Sequence, residues 1–488
     1  MRTPYERLSP AATSCLAQEG PSVHSHVGAT LVFEAGSLRT ADGGIDIERI
    51  RAHTAAQLHR APRYRQRLAR VPLENSPVWV DDEHFSLDYH LRHTSLPRPG
   101  DESQLKHLAA RIMSQQLDHE KPLWEQWIVE GVEGDRFAIV SKAHTCTIDG
   151  AKGADLLSTL LVPEPTDEIA DPREFDPREP PSPLHLLRDE VLRRVRSPLG
   201  FARDALVHPV QLGSSVEARA RAWVDTLTKA RAEHDSVLTG EVGPHRGLDW
   251  IVLELADVRA VKKRLGGSVN DVVLAVVAGA LRRFLERRGV GLRSLALTAL
   301  SPISVYSGPG TLADRIDTWR VPLPVGEPDA HERFEQVRRV TRELGQATAA
   351  VPAHDLAAAT RWTASTLLSR GVLELDRTGT SQLVVSNVPG PQLPLYLLRS
   401  RLLACYPQAP LLAHQGLSVA LFSYAGRLYW GLCADRERIP DLPLLADEIV
   451  ASFAELRSAA GLESRRRAAG RRTKTRRRHA PGGPRAEL

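Results

Sequence analysis

The sequence predicts an α+β protein of two similar halves joined by a linker and followed by a basic tail, and three observations predict it. Strand-like and helix-like apolar spacings alternate up to residue 162 and again from 246. A Pro- and acid-rich stretch from Pro163 to about Pro183 separates the two series, and positive charge is concentrated after residue 463. The implied division is residues 1–162, an N-terminal domain; 163–245, a linker with amphipathic helices; 246–460, a C-terminal domain; and 461–488, a disordered basic tail.

In chain order, residues 27–34 mix β-branched and apolar residues as a half-buried strand does, and 47–58 have helical spacing. Residues 104–117 again place apolar side chains three and four apart, before strand-like runs at 124–130 and 136–142. A helix is expected at 154–161. After the linker, Leu184–Val195 and Val216–Arg231 read as amphipathic helices that bridge the halves or lie on a lipid surface. The second series opens with a strand from Trp250. A helix follows from Ser268-Val-Asn-Asp, where Ser268 and Asn270 are candidate caps, to Gly289. Strands are expected at 294–302, 318–324, 382–386, 417–423 and 428–435, and a closing helix at 439–459.

The chain has 488 residues, 42% hydrophobic and 25% charged, which excludes a disordered, collagen-like or disulfide-stapled protein. Four scattered cysteines, Cys15, Cys146, Cys405 and Cys433, form no C-x-x-C pair, so neither a zinc knuckle nor a disulfide framework is indicated and a cytoplasmic setting is expected. No run approaches the ~18 apolar residues of a spanning helix, and the opening residues lack an apolar leader core, so membrane contact is expected to be peripheral. Residues 464–488 hold ten Lys/Arg and one acid, so the first 463 residues are net −4 within a whole-chain charge of +5. Such a tail cannot form a core. It suits anionic lipid headgroups, and no folded nucleic-acid-binding module stands behind it.

The segment richest in chemistry is Phe137-Ala-Ile-Val-Ser-Lys-Ala-His-Thr-Cys-Thr-Ile-Asp-Gly. An apolar strand runs into His144, and Asp149-Gly150 makes a turn before a helix. Histidine's unperturbed pKa of about 6.5 suits proton transfer at neutral pH, so His144 is a candidate general base as well as a candidate hydrogen-bonded structural residue. His144 and Cys146 would share a strand face, which raises a Cys/His nucleophile pair or, with Asp149, a metal site. Two or three ligands without a fourth make an incomplete site, and a cysteine here reads more simply as a small buried hydrophobe.

This segment resembles the His-His-x-x-x-Asp-Gly motif of CoA-dependent acyltransferases related to peptide-synthetase condensation domains. Other segments narrow the resemblance to the bacterial wax ester synthase/diacylglycerol acyltransferase family. They are Leu8-Ser-Pro with His26-Val-Gly; Lys121-Pro-Leu-Trp-Glu-Gln-Trp; Ser268-Val-Asn-Asp-Val-Val-Leu; Val385-Ser-Asn-Val-Pro-Gly-Pro; and His414-Gln-Gly-Leu with Ser423-Tyr-Ala-Gly-Arg-Leu. The resemblance implies two pseudo-symmetric chloramphenicol-acetyltransferase-like domains enclosing a tunnel. There the second motif histidine deprotonates an alcohol that attacks an acyl-CoA thioester, with acyl-CoA as substrate and no cofactor or metal. It implies diacylglycerol or a fatty alcohol as acceptor, triacylglycerol or wax ester as product, and a place at a membrane or lipid-droplet surface.

By the same resemblance Asp149 and Gly150 hold the turn, and Pro122, Leu123 and Trp124 form core or tunnel wall. The Asn270-Asp271 region and backbone N–H groups are candidates to face the oxyanion, and Asn387, Pro389 and Gly390 lie near the domain interface. Anchored on Asp149-Gly150, His144 matches the first motif histidine, and Thr145 stands where the family carries the second. A threonine hydroxyl is far too weak an acid or base to replace it. Neighbouring strand residues point to opposite faces, so His144 reaches the alcohol only if a bulge turns it. The alternative is a homologue that keeps the fold and binds acyl-CoA or lipid without turning it over.

Overall fold

The computed structural model describes residues 4–72, 75–148, 156–189, 192, 238–293, 295–305, 315–347 and 381–462. Asp149, Gly150, residues 190–191 and 193–195 of the first amphipathic stretch, all of Val216–Arg231 and the tail from 463 lie outside the described residues.

Three sheets organise the described residues. A small antiparallel sheet is formed by β1 (Tyr5–Arg7), β3 (Gln66–Arg70) and β4 (Pro77–Asp81), with β4 central. The N-terminal half builds most of a seven-stranded sheet from β2 (His26–Glu34), β5 (Leu91–Ser95), β6 (Trp124–Val132), β7 (Arg136–His144) and β8 (Leu161–Val162). The second half builds a six-stranded sheet from β9 (Arg246–Glu254), β10 (Leu297–Val305), β11 (Arg315–Leu323), β12 (Leu383–Pro389), β15 (Leu417–Tyr424) and β16 (Arg427–Asp435), in the order β11-β10-β12-β15-β16-β9. The remaining strands, β13 (Tyr396–Leu397) and β14 (Ser400–Gln408), leave the second half and complete the first sheet, whose order is β5-β6-β7-β2-β14-β13-β8. Residues 396–408 therefore do not pair within the C-terminal sheet, although the sequence division places them in that domain.

The helices start where their sequences cap them. Ser9 caps α1 (Pro10–Ala17) by accepting the Ala12 N–H, and Asp46 caps α2 (Ile47–Gln57) through the Arg49 N–H. The short α3 (Leu87–His90) leads into β5, and α4 (Glu102–Ser114) opens on a reciprocal Asp101/Gln104 capping box. Beyond α5 (Leu156–Leu160), the second half holds α6 (Leu255–Leu265), ended by left-handed Gly266 at φ 74°, and α7 (Val269–Arg287), opened by a Ser268/Asp271 capping box. Helices α8 (Ala330–Ala347) and α9 (Leu442–Ala459) flank α7, which is buried nearly all round. That burial explains the apolar run Val272–Leu281; no single helix among the described residues is long and apolar enough to cross a membrane.

Strand β14 ties the halves together. Its edge pairs with β2 while its face lies on β15 and β16: Tyr429 and Tyr424 donate their hydroxyls to the Leu403 and Leu402 carbonyls at 2.9 and 3.1 Å, and Trp250 of β9 stacks on Tyr406 at 4.6 Å. A polar seam runs alongside. Lys106 of α4 meets Asp249 of β9 at 2.7 Å, and Arg246 donates its backbone N–H to Ser114 Oγ and its guanidinium to the Gly243 and Ser22 carbonyls. Beside this seam a cleft of about 710 Å³ opens between α4 and the starts of β9 and α9, lined by Lys106, Arg111, Ser114, Arg246, Asp249 and Arg436 among others.

Candidate active site

Strand β7 ends at His144, as its apolar run predicts, and Thr145–Ile148 form a single 3-10 turn. The Leu123 carbonyl fixes this junction, accepting the His144 N–H at 2.9 Å and the Thr147 hydroxyl at 3.4 Å. Trp124 is buried beneath it, its indole N–H on the Tyr64 carbonyl at 2.8 Å and its ring stacked on His90 at 4.6 Å. Pro122-Leu123-Trp124 is thus the floor on which the motif rests.

The strand stops at His144, and His144 and Thr145 meet different partners. The His144 ring is fully buried: Nδ1 accepts the Cys146 N–H at 3.1 Å, and Nε2 lies 2.9 Å from Glu19 Oε1. The other Glu19 oxygen lies 3.0 Å from His119 Nε2, and the Ser25 N–H donates to Oε1 at 3.0 Å. Burial raises the Glu19 carboxyl, but His119, His144 and the Ser25 N–H outweigh it and hold the group well below the usual carboxylate range. Glu19 is therefore a buried anion clamped between two imidazoles. As placed, His144 is fully enclosed and its Nδ1 lone pair is taken by the Cys146 N–H; it positions the strand end.

Two more histidines extend the cluster on the His144 side. In the β2–β7 register His26 faces His144, edge to face at 6.1 Å between centroids, and His24 stacks on His26 at 5.2 Å. Burial, then like charge from Lys142 in the one case and Arg246 in the other, pushes both His26 and His24 below the ordinary 6.5, so both are neutral at pH 7. Lys142 is also buried; its ammonium donates to the Ile112 and Gln115 carbonyls at 3.0 and 2.9 Å, and burial lowers it to about 8 despite Glu125 nearby.

Thr145 is fully buried, its N–H on the Ser25 carbonyl at 2.9 Å and its hydroxyl 3.0 Å from Cys15 Sγ. The space an imidazole would need at position 145 is shared with that thiol. Burial, only partly offset by Ser25 and Thr145, raises the Cys15 thiol, so it is no thiolate at neutral pH. Cys146 sits in the turn with its backbone N–H on His144 and its side chain in a small apolar cluster with Ala12, Leu68 and Leu123. It does not share a strand face with His144. No group of three or more His, Cys, Asp or Glu suited to a metal ion occurs among the described residues.

The second-half candidates lie apart from this cluster. Asp271 caps α7 and accepts the Thr341 hydroxyl at 2.7 Å, and Asn270 Nδ2 reaches Ser301 Oγ at 3.4 Å. Asn387 and Pro389 lie in β12, and Gly390 follows where an added Cβ would fall 2.4 Å from the Ser423 carbonyl and 2.3 Å from the Phe422 ring. Sequence reasoning missed Glu19, His24 and His119; the only signal was the alternating pair His24-Ser-His26 at the head of a strand.

The cluster carries a pH consequence. Burial, partly offset by the Trp124 carbonyl, lowers His90 to about 4, and His24 and His26 are lowered too. The unfolded chain therefore takes up these protons first as pH falls below about 6.5, and stability drops through the window from there to about 4. Glu19 works in the same direction, its contribution present above about 4.5 and lost below. Thermal melting at pH 7.5 and 5.0 should show the melting temperature several degrees lower at pH 5.0, with His90→Phe flattening the difference.

Comparisons agree with this architecture. The sequence matches the wax ester synthase/diacylglycerol acyltransferase catalytic domain over residues 8–273 and that family's C-terminal domain over residues 314–457. It is 32% identical over 472 residues to a putative diacylglycerol O-acyltransferase of Mycobacterium tuberculosis strain CDC 1551, covering 92% of this chain and 90% of that one. It is 30% identical to a probable diacylglycerol O-acyltransferase of strain H37Rv, covering 86% and 90%. Among solved structures, the wax ester synthase/diacylglycerol acyltransferase of Marinobacter aquaeolei VT8 superposes with a TM-score of 0.64 at 26% identity, over 93% of this chain and 100% of that one. The first condensation domain of the calcium-dependent antibiotic synthetase shares the fold, at 18% identity and a TM-score of 0.56 over 93% and 97%. With both of its domains matched in order, the chain belongs to the wax ester synthase/diacylglycerol acyltransferase family.

Proposed function

We propose that this protein is an O-acyltransferase that moves a long-chain acyl group from acyl-CoA to diacylglycerol, and to a fatty alcohol where one is offered, releasing free CoA and triacylglycerol or wax ester. The observation that carries the reading is the ordered match of both domains to one acyltransferase family. In direct transfer the acceptor hydroxyl attacks the thioester carbonyl, a base takes its proton, and donors face the oxyanion that forms. The buried cysteines fit that scheme, since Cys15 is held as a thiol and Cys146 lies in an apolar cluster, so neither is poised as an acyl-accepting nucleophile. Both acceptors are apolar, so the reaction belongs at a lipid surface, where the basic stretch 464–488 supplies attraction to anionic headgroups.

The test is release of thiol from palmitoyl-CoA by the full-length protein with dioleoylglycerol or hexadecanol in anionic vesicles, with the ester product identified by mass. Stoichiometric CoA and ester are expected. Binding of palmitoyl-CoA without turnover on either acceptor would make the protein an acyl-CoA-binding homologue instead.

A further inference from the structure

An acyl-CoA donor carries a 3′-phosphate and a diphosphate that neither acceptor has, so an enzyme that draws on it needs a seat for those anions. We propose that the cleft between α4 and the starts of β9 and α9 is that seat, with Arg111 and Arg436 on the phosphates of the 3′-phospho-ADP portion of CoA. The inference rests on the acyltransferase reading and adds to it the place where the donor is held.

Charge points to an anion. Lys106, Arg111, Arg246 and Arg436 line the cleft against the single carboxylate of Asp249, in a chain whose first 463 residues are net −4. Asp249 is already engaged by Lys106 at 2.7 Å, and Glu102 meets the same ammonium at 2.9 Å. The three arginines have no carboxylate within ion-pair distance among the described residues. For Arg246 this matters most, because it is 5% exposed and its guanidinium donates to backbone carbonyls, those of Gly243 and Ser22. A buried cation held by dipoles without a counter-ion gains from an anion that arrives beside it. Arg111 and Arg436 are exposed, so their forks can turn onto phosphate oxygens and bind them two at a time.

Shape and position fit the same ligand. The cleft of about 710 Å³ is the size of a small-ligand site, and Pro440 and Pro443 give it an apolar face for an adenine ring. Arg111 comes from α4 of the first half and Arg436 follows β16 of the second, so an anion between them is gripped from both sides of the joint. The cleft also borders the support of the motif. Arg246 reaches the Ser22 carbonyl ahead of β2, and the Lys142 ammonium, two residues before His144 in β7, holds the end of α4 through the Ile112 and Gln115 carbonyls. A nucleotide seated here leaves its flexible pantetheine arm to carry the thioester onward. Anionic lipid headgroups are the other source of phosphate, but a recess between the halves receives a soluble anion more readily than one fixed in a bilayer.

The experiment compares full-length wild type with Arg111→Glu/Arg436→Glu and with Lys263→Glu, an exposed charge reversal on α6 outside the cleft. Calorimetry with CoA and with adenosine 3′,5′-bisphosphate, in the absence of lipid, should show affinity falling about tenfold or more in the double variant and unchanged within about twofold in Lys263→Glu. In turnover of palmitoyl-CoA with dioleoylglycerol, the double variant should raise the palmitoyl-CoA KM about tenfold or more with kcat held within about twofold, as loss of uniform binding requires. Flotation on phosphatidylglycerol vesicles should not separate the double variant from wild type. Both arginines are exposed, so the melting curve should be kept; if the double variant unfolds, Arg111→Gln and Arg436→Gln carry the same measurements singly. Wild-type CoA affinity and KM in these variants would overturn the site while leaving the acyltransferase standing, and retained CoA affinity with lost flotation would assign the cleft to lipid headgroups instead. A wild type that binds CoA through these arginines but is inert toward both acceptors would overturn the acyltransferase reading and keep the site.

Discussion

His144→Ala should lower the unfolding free energy by about 3 kcal/mol or more, the cost expected when a buried carboxylate loses a polar group that faces it and stays behind. Glu19 is the partner left behind. Its side chain is 4% exposed and is held ionised by His119, His144 and the Ser25 N–H. Removing the His144 ring also leaves a cavity at the end of β7 and strips the Cys146 N–H of its acceptor. Urea unfolding of His144→Ala, Glu19→Gln and the double variant measures this directly. The double variant should be less destabilised than the sum of the singles, because Glu19→Gln removes the charge that His144→Ala strands. A loss under about 1 kcal/mol for His144→Ala would mean that the pair does not hold the strand end. Any acyltransferase activity lost in His144→Ala should accordingly follow the folded fraction and not respond to imidazole.

Much of the fold was legible because it is written in local patterns. The period of β2, β6, β7, β15 and β16, and the Ser268 cap of α7, depend on residues within a few positions of one another. The passage of β13 and β14 into the first sheet was not legible, since the pairing of Tyr406 with Thr30 joins positions 376 apart and leaves no mark on either local pattern. The short strands β1, β3 and β4 carry too few residues to show a period. At the site, the strand end at His144 was legible, but what His144 and Thr145 each meet lies far away in the chain. Glu19 and His119 flank His144 only because the 115–123 loop and the end of α1 converge over the β2–β7 register. A lone glutamate before a glycine has no sequence signature of a buried carboxylate faced by histidines.

The second large effect concerns the joint between the halves. Gly431→Ala should destabilise the protein by about 3 kcal/mol or more, at the top of the range for overpacking, because the obstacle is backbone. A Cβ at Gly431 would lie 1.7 Å from the Pro407 carbonyl oxygen and 2.9 Å from its carbon, where β14 crosses β16, and neither atom can swing aside as a side chain would. Relief requires the strands to part. That movement breaks the Tyr429 bond to the Leu403 carbonyl and loosens the Trp250–Tyr406 stack, which are the contacts that carry β14 from one sheet to the other. Gly247→Ala in β9 is the control, since its Cβ would meet nothing nearer than 3.7 Å and should change stability by under about 1 kcal/mol. Urea unfolding of the two variants decides the matter. If β14 is the clasp, Gly431→Ala should also separate one unfolding transition into two, as the sheets lose the strand through which they unfold together; a single transition at the wild-type midpoint would show that the halves cohere without it.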